Sequence, residues 1–244
     1  MIDQKKTPGV SDTMDLRVAS YNIQKGMGHD FRRKPDRTHQ VIADLNVDIL
    51  ALQEADRRFL SRAGVLDLDR LKEECGLVPV PLPDRTGRAA HGWHGNLLLT
   101  RNTSIVGVRT VRLAGLEPRG AIIADLTHNE RAVRIIAVHL GLLPSSRLLQ
   151  ARQLSSEVTD DDSTTILLGD FNEWRGGTAT ALAPLLSRFG PHASVPSFPA
   201  IRPIAALDRI LVSGSQATVD LAIHDGPLAR QSSDHLPVVA RVRF

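Results

Sequence analysis

A chain of 244 residues is long enough to bury a substantial core, and 42% hydrophobic residues is an ordinary globular share. A net charge of +3 with a pI near 9.4 suits an anionic partner but falls far short of the dense positive field of a dedicated nucleic-acid binder. Aromatic residues at 4% leave few stacking platforms, and a lone Cys75 excludes both an intramolecular disulfide and a thiolate zinc site.

Residues 1–14 read as a flexible tail with no apolar leader, and residues 15–244 as one domain, since no linker, short repeat or low-complexity run interrupts them. DLRVASYNI from Asp15 reads as a strand. Asp36 is placed to cap a helix carrying Val41, Ile42 and Leu45 on one face, and VDILALQEA from Val47 is the next strand. GVLDLDRLKEECG sets Leu68, Leu71 and Cys75 at helical spacing and stops at Gly76. HGNLLLTR from His94 and SIVGVRTVRL from Ser104 follow as strands. RGAIIADLT from Arg119 and RAVRIIAVHL from Arg131 are two more, joined by the hairpin turn HNE. PSSRLLQARQLSSEV from Pro144 places Leu148, Ala151 and Leu154 together on a helix. TTILLGDFN from Thr164, LDRILVSG from Leu207, ATVDLAIHD from Ala217 and HLPVVARVRF from His235 complete the strands. Strand repeatedly follows strand without a crossover helix, which argues against a doubly wound parallel sheet and for two packed sheets flanked by helices. No run approaches membrane-spanning length, so no stable membrane insertion is expected, and a cytoplasmic, reducing location is the simpler inference.

The polar residues fall at strand ends. Asn22, Glu54, His139, Asp170 and Asn172 close strands, whereas Asp208, Asp234 and His235 open others. If the second group runs opposite to the first, all eight meet along one rim. Such an acidic cluster needs a counter-charge, and oxygen donors without cysteine fit Mg2+ (or Mn2+) better than zinc. Metal-assisted hydrolysis of a phosphate ester is the chemistry that follows.

YNIQKG, LQEAD, AVHLG, GDFN, LDRI and SSDHLP, with RGAIIADL and HGNLLLTR between them, resemble the endonuclease/exonuclease/phosphatase superfamily in order and spacing over residues 15–244. GDFN combined with a later SDHLP is the specific part. The resemblance implies a DNase I-like α/β (α+β) fold, a four-layer α/β/β/α sandwich of two mixed sheets flanked by helices. It implies that Glu54, with Asn22 and Asp234, holds the metal, and that Asp170 activates the attacking water. Asn172 would hold a phosphoryl oxygen or the ion's water, and His235, oriented and kept protonated by Asp208, would contact the phosphate. His139 would protonate or steady the leaving oxygen. Asn96 and Arg119 would touch the substrate, against bland readings as a structural amide and a strand-edge charge. Gln24 departs from the superfamily, many members of which carry an acidic, histidine or arginine side chain there, and this bears on a second metal site.

Phosphate-ester substrates across that superfamily include lipid headgroups, sugar and inositol phosphates and nucleic acids, and the residues do not choose among them. A nuclease proper is the first alternative; a catalytically silent phosphate-binding module is the alternative of another class. FRRKPDR (31–37) reads as a solvated charged loop, Trp93 and Trp174 as either pocket rim or core, and His91 and His94 lack a strong metal-binding partner.

Overall fold

Side-chain alternation along the strands builds the layers. In β1 (Asp15–Asn22), Leu16 and Val18 enter one apolar cluster, and Ala19 and Tyr21 enter another on the opposite face. The computed structural model describes residues 15–57, 62–158, 164–175, 180–190, 192–214 and 217–243, and the tail expected over residues 1–14 lies outside them. Within those residues β1 is followed by β2 (Ile49–Gln53), β3 (Val78–Pro79), β4 (Leu97–Thr100), β5 (Ser104–Leu113) and β6 (Arg119–His128). Then come β7 (Arg131–His139), β8 (Thr164–Asp170), β9 (Asp208–Val212), β10 (Thr218–Ile223) and β11 (Val238–Arg243). The helices are α1 (Pro35–Leu45), α2 (Leu68–Cys75), α3 (Pro144–Ser155), α4 (Ala183–Leu186) and α5 (Pro227–Ser232).

A six-stranded sheet has the order β10-β11-β1-β2-β4-β3 and a five-stranded sheet the order β5-β6-β7-β8-β9. Both are mixed: β1 runs parallel to β2 and β7 to β8, while β11 and β9 run against their neighbours. The inner faces share one core, in which Leu16, Val18, Ala51 and Val238 meet Ile122, Ile135, Leu168 and Ile210. Outside the six-stranded sheet, Tyr21, Leu50 and Leu52 pack with Val41, Ile42 and Leu45 of α1 and Leu71 of α2. Outside the five-stranded sheet, Ile136, Val138 and Leu167 pack with Ala151 and Leu154 of α3 and Leu185 of α4. Helix, sheet, sheet, helix is therefore the order of layers, as expected. No helix among the described residues is long and apolar enough to cross a membrane.

Local chemistry explains the boundaries. Asp67 caps α2 by accepting from the Arg70 amide at 3.0 Å, and Gly76 ends it at φ 69°. The HNE turn puts Asn129 and Glu130 at φ 46° and 67°, the left-handed pair that matches the twist of a two-residue hairpin. Two expectations need correction. Lys34, not Asp36, precedes the first turn of α1; Pro35 opens that helix, and Asp36 sits inside the turn, where its charge meets the helix dipole. The buried face of α3 holds Ser146, Arg147 and Gln150 beside Ala151 and Leu154, while Leu148 is only half-buried. The polar members bond to loops that α3's own spacing does not show: Ser146 Oγ accepts from the Leu116 amide, Arg147 donates to the Leu142 carbonyl, and Gln150 accepts from the Gly141 amide and donates to the Ala114 carbonyl.

Gly169 occupies the tightest point of the β7–β8 pair. Its φ is +154°, and an added Cβ would stand 1.9 Å from the Val138 carbonyl oxygen. Replacing Gly169 with alanine is expected to cost about 3 kcal/mol through strain and overlap, read as a fall in the denaturant midpoint. A midpoint unchanged within error would show that β8 can shift freely.

Candidate active site

The alternation that fills the core also aims the polar residues. On β1, Asn22 follows Leu16, Val18 and Ser20 on the inner face; on β8, Asp170 follows Ile166 and Leu168; on β7, His139 follows Ile135 and Ala137. Asp208 opens β9 on the face of Ile210. The site is thus the end of the inter-sheet core, where apolar side chains give way to polar ones. A cavity of about 640 Å³ opens there, lined among others by Asn22, Glu54, Arg119, His139, Asp170, Asn172, Asp234 and His235. Eight of the ten candidate residues share it. A second concavity of about 520 Å³, at the far end of β1, is lined by Asp15, Arg17, Asp48, Asp220 and Arg241 and lies against exposed ion pairs.

Asp170 is 1% exposed and sits at the centre. Its Oδ2 accepts from Asn22 Nδ2 at 3.0 Å, and its Oδ1 accepts from the Asn172 backbone amide at 2.9 Å. His139 Nε2 lies 3.5 Å from Oδ2 and His235 Nε2 3.9 Å from it. Asn172, at φ 51°, turns its side chain back so that Nδ2 donates to the Leu140 carbonyl at 3.0 Å. The loops after β7 and β8 are thereby joined.

The two histidines have opposite electrostatics. Burial costs the His235 imidazolium, but contact with Asp208, and the nearby Asp170 and Asp234, outweigh it and raise its pKa to about 10. His235 Nδ1 and Asp208 Oδ2 are 2.7 Å apart, and Ser197 Oγ donates to the same oxygen at 2.5 Å. His139 is buried without such a partner. Desolvation first, and Arg119 second, push its pKa down to about 3, so its imidazole is neutral.

Glu54 leaves β2 at φ 55° and forms an ion pair with Lys25 Nζ across the cavity wall. Gln24 Nε2 donates to Asp234 Oδ2 at 3.1 Å, and the Gln24 amide donates to Asn22 Oδ1 at 3.1 Å. Gln24 therefore acts here as a tether between two candidate ligands. Ser233 Oγ donates to the Asn22 carbonyl at 2.6 Å and accepts from the His235 amide at 3.2 Å, pinning the SSDH segment to the end of β1.

Two expected residues stand apart. Asn96 does not line the cavity; its Nδ2 donates to the Gly120 carbonyl at 2.8 Å, a bond from the six-stranded sheet to the five-stranded one. Asp208 also lies behind the cavity and acts on it through His235. Trp93 packs against the inter-sheet core and donates to the Val111 carbonyl, whereas Trp174 is on the rim, edge-on to Phe198 at 5.6 Å, with Phe198 4.9 Å from the His235 ring.

Sequence reasoning missed Arg147 and Glu173. Their side chains are only 5% and 1% exposed and pair at 3.4 Å beneath the cavity floor. Arg147 also donates to the Gly141 and Leu142 carbonyls, and Glu173 accepts from the Arg175 and Ala181 amides, so the pair clamps the loops bearing His139 and Asn172. The mixed polar face of α3 was the available signal. His94, set aside in the sequence, does line the cavity together with Arg57, Arg62 and Glu117.

Two groupings bear on a cation site. Asp170, Asp208 and His235 have ligand atoms within 4.8 Å of one another. An imidazolium has no lone pair to give, however, and His235 Nδ1 is committed to Asp208 at 2.7 Å while its Nε2 stands 3.9 Å from Asp170, so this trio is a hydrogen-bonded pair facing a separate carboxylate. Glu54, Asn22 and Asp234 offer oxygen donors only, and the Lys25 ammonium already rests against Glu54 as a positive charge. That donor set fits a hard divalent ion.

The sequence matches the family model described as Endonuclease/Exonuclease/phosphatase family over residues 19–235. Among solved structures, an endonuclease/exonuclease/phosphatase family protein from Bacteroides thetaiotaomicron superposes with a TM-score of 0.73 at 20% identity, covering 96% of each chain. The mannosyl-6-phosphatase Bt3783 of B. thetaiotaomicron gives 0.68 at 21% identity over 94% of this chain and 100% of its own. TDP2 of D. rerio, solved with a single-strand DNA product, gives 0.68 at 15% identity over 94% and 99%. At these identities the structures establish the fold alone. No curated protein matches the sequence.

The His235–Asp208 pair sets a pH dependence of stability. The folded pKa of about 10 lies above the ordinary 6.5, so the pair stabilises fully below pH 6.5 and loses its contribution as pH rises through about 10. Asp208→Asn is therefore expected to cost about 3 kcal/mol near pH 6 and far less above pH 10, measured by urea unfolding in chelator. An equal cost at both pH values would mean that His235 is not charged through this contact.

Proposed function

Since the chain belongs to the endonuclease/exonuclease/phosphatase family, we propose that it is a divalent-metal-dependent phosphoesterase acting by direct attack of water. The observation that carries this reading is Asp170, a buried carboxylate aimed by Asn22 and the Asn172 amide into a cavity flanked by one charged and one neutral histidine. Glu54, Asn22 and Asp234 would hold Mg2+ or Mn2+; when bound, the ion supplies positive charge against the phosphate oxygens.

The chain's own residues supply the rest. Asp170 positions a water and takes its proton as the water oxygen bonds to phosphorus. His235 donates from Nε2 to a phosphoryl oxygen, and Asp208 keeps it charged while that oxygen gains negative charge. Asn172 retains a second amide hydrogen beyond the one given to Leu140, available to another phosphoryl oxygen. His139, being neutral, can steady the leaving oxygen by hydrogen bonding but brings no imidazolium proton to it, which narrows the role the resemblance implies. Arg119, at the start of β6, adds positive charge to the same wall. The bond from phosphorus to the leaving oxygen breaks, that oxygen takes a proton from solvent while Asp170 releases its own to solvent, and the net reaction adds one water across the bond.

Hydrolysis of bis-p-nitrophenyl phosphate with Mg2+ or Mn2+ tests the reading. Asp170→Ala is expected to lose about 100-fold or more, as for a lost general base. His235→Ala should lose about 100-fold, as for a lost transition-state donor, and Glu54→Ala should raise the metal concentration needed for half-maximal rate. No metal-dependent turnover by the wild type, or equal turnover by Asp170→Ala, would defeat the proposal and leave a silent phosphate-binding module.

A further inference from the structure

The mouth of the cavity has two unlike lips. Loops of the five-stranded sheet contribute Leu116 and Pro118, between β5 and β6, Leu142 after β7, and Trp174 after β8. Leu116 is 84% exposed, Leu142 63% and Trp174 61%, and Leu143 beside them is exposed as well. Loops of the six-stranded sheet contribute Lys25, Arg57 and Arg62, with Arg119 deeper on the apolar side. An exposed apolar cluster at the opening of a polar cavity, whose lining mixes these cations with Glu54, Asp56, Glu117, Asp170 and Asp234, calls for a ligand with matching halves.

The apolar side chains are held in place. The Leu142 amide donates to Glu117 Oε1 at 2.7 Å, joining the 140s loop to the Leu116 loop. The Leu116 amide donates to Ser146 Oγ at 3.3 Å, fixing it to α3, and Trp174 rests edge-on against Phe198. These bonds present leucine to solvent in an ordered rim.

We propose that the substrate is an anionic phospholipid taken from a bilayer surface, its phosphate reaching Asp170 while its apolar part lies against Leu116, Leu142 and Trp174; this rests on the phosphoesterase reading and deepens it. Arg57 and Arg62 at the same mouth then face the anionic headgroup layer, while Lys25 stays on Glu54, and the pairing of these arginines with the apolar lip selects this occupant. Leucine side chains offer a nucleic acid neither stacking nor hydrogen bonds, and one rim tryptophan with a few clustered cations makes no track along a strand. A small sugar phosphate is polar throughout and gains nothing from the two most exposed leucines at the mouth.

The test compares three probes with the full chain. These are soluble bis-p-nitrophenyl phosphate, phosphatidylcholine vesicles with or without phosphatidic acid or phosphatidylglycerol, and a single-stranded oligonucleotide. In chelator, the wild type is expected to co-sediment with the anionic vesicles and not with pure phosphatidylcholine. With Mg2+ it should hydrolyse the anionic lipid, and Leu116→Ser with Leu142→Ser should lower the ratio of vesicle to soluble activity by roughly tenfold or more, the scale of two buried leucines lost. Leu116→Met with Leu142→Met should restore the ratio, which separates lost contact from misfolding. Three results overturn the inference: no binding to anionic vesicles, a ratio untouched by the serine pair, or hydrolysis of the oligonucleotide without lipid turnover. In each of these the soluble ester is still hydrolysed if the phosphoesterase reading holds. If the wild type fails on that ester, the reading itself fails, and co-sedimentation alone then decides the docking surface.

Discussion

Asn22 Nδ2 donates to Asp170 Oδ2 across the seam between the two sheets, and the arrangement of the cavity depends on that contact. Asn22 ends a strand of one sheet and Asp170 a strand of the other, 148 residues later. A buried carboxylate needs donors, and the sheets can supply them only if they pack with these two ends together. Stacking of Leu16 and Val18 over Ile166 and Leu168 sets the separation, and the polar pair completes the same column. Core and site are therefore continuous: the inner faces are apolar until the rim, where an amide, carboxylates and imidazoles replace aliphatic side chains.

Around that contact the electrostatics divide the labour. Two histidines lie near one carboxylate, yet one is charged and the other neutral because only His235 has a second carboxylate behind it. Asp208 acts without touching the cavity. Arg147 and Glu173 act in a similar way on the floor, where a buried ion pair with all its loop partners satisfied holds two turns in register. Removing either partner alone would strand a charge in the interior, at a cost of about 3–5 kcal/mol.

Much of this was legible in the sequence because strand alternation is a local rule. The runs that end in Asn22, His139 and Asp170 show both the apolar face and the polar residue that extends it, and strand direction then brings them to one rim. The hairpin at HNE and the stop at Gly76 were legible for the same reason, since turn chemistry is carried by the turn residues. What escaped depends on partners far along the chain. The bond from Asn96 to the Gly120 carbonyl cannot be read from its own neighbours. Arg147 looks like a solvated helix charge until Glu173 is placed beneath it, and Leu116 and Leu142 become a lip only once Glu117 ties their loops together. The constraint at Gly169 comes from the Val138 carbonyl, which its own neighbours do not disclose.

The ammonium of Lys25 beside Glu54 has a consequence for the charge balance of the mouth. Carboxylates gathered at one mouth ordinarily repel one another, but here a tethered cation rests on Glu54. The fold thus brings its own neutralising charge to that corner of the rim.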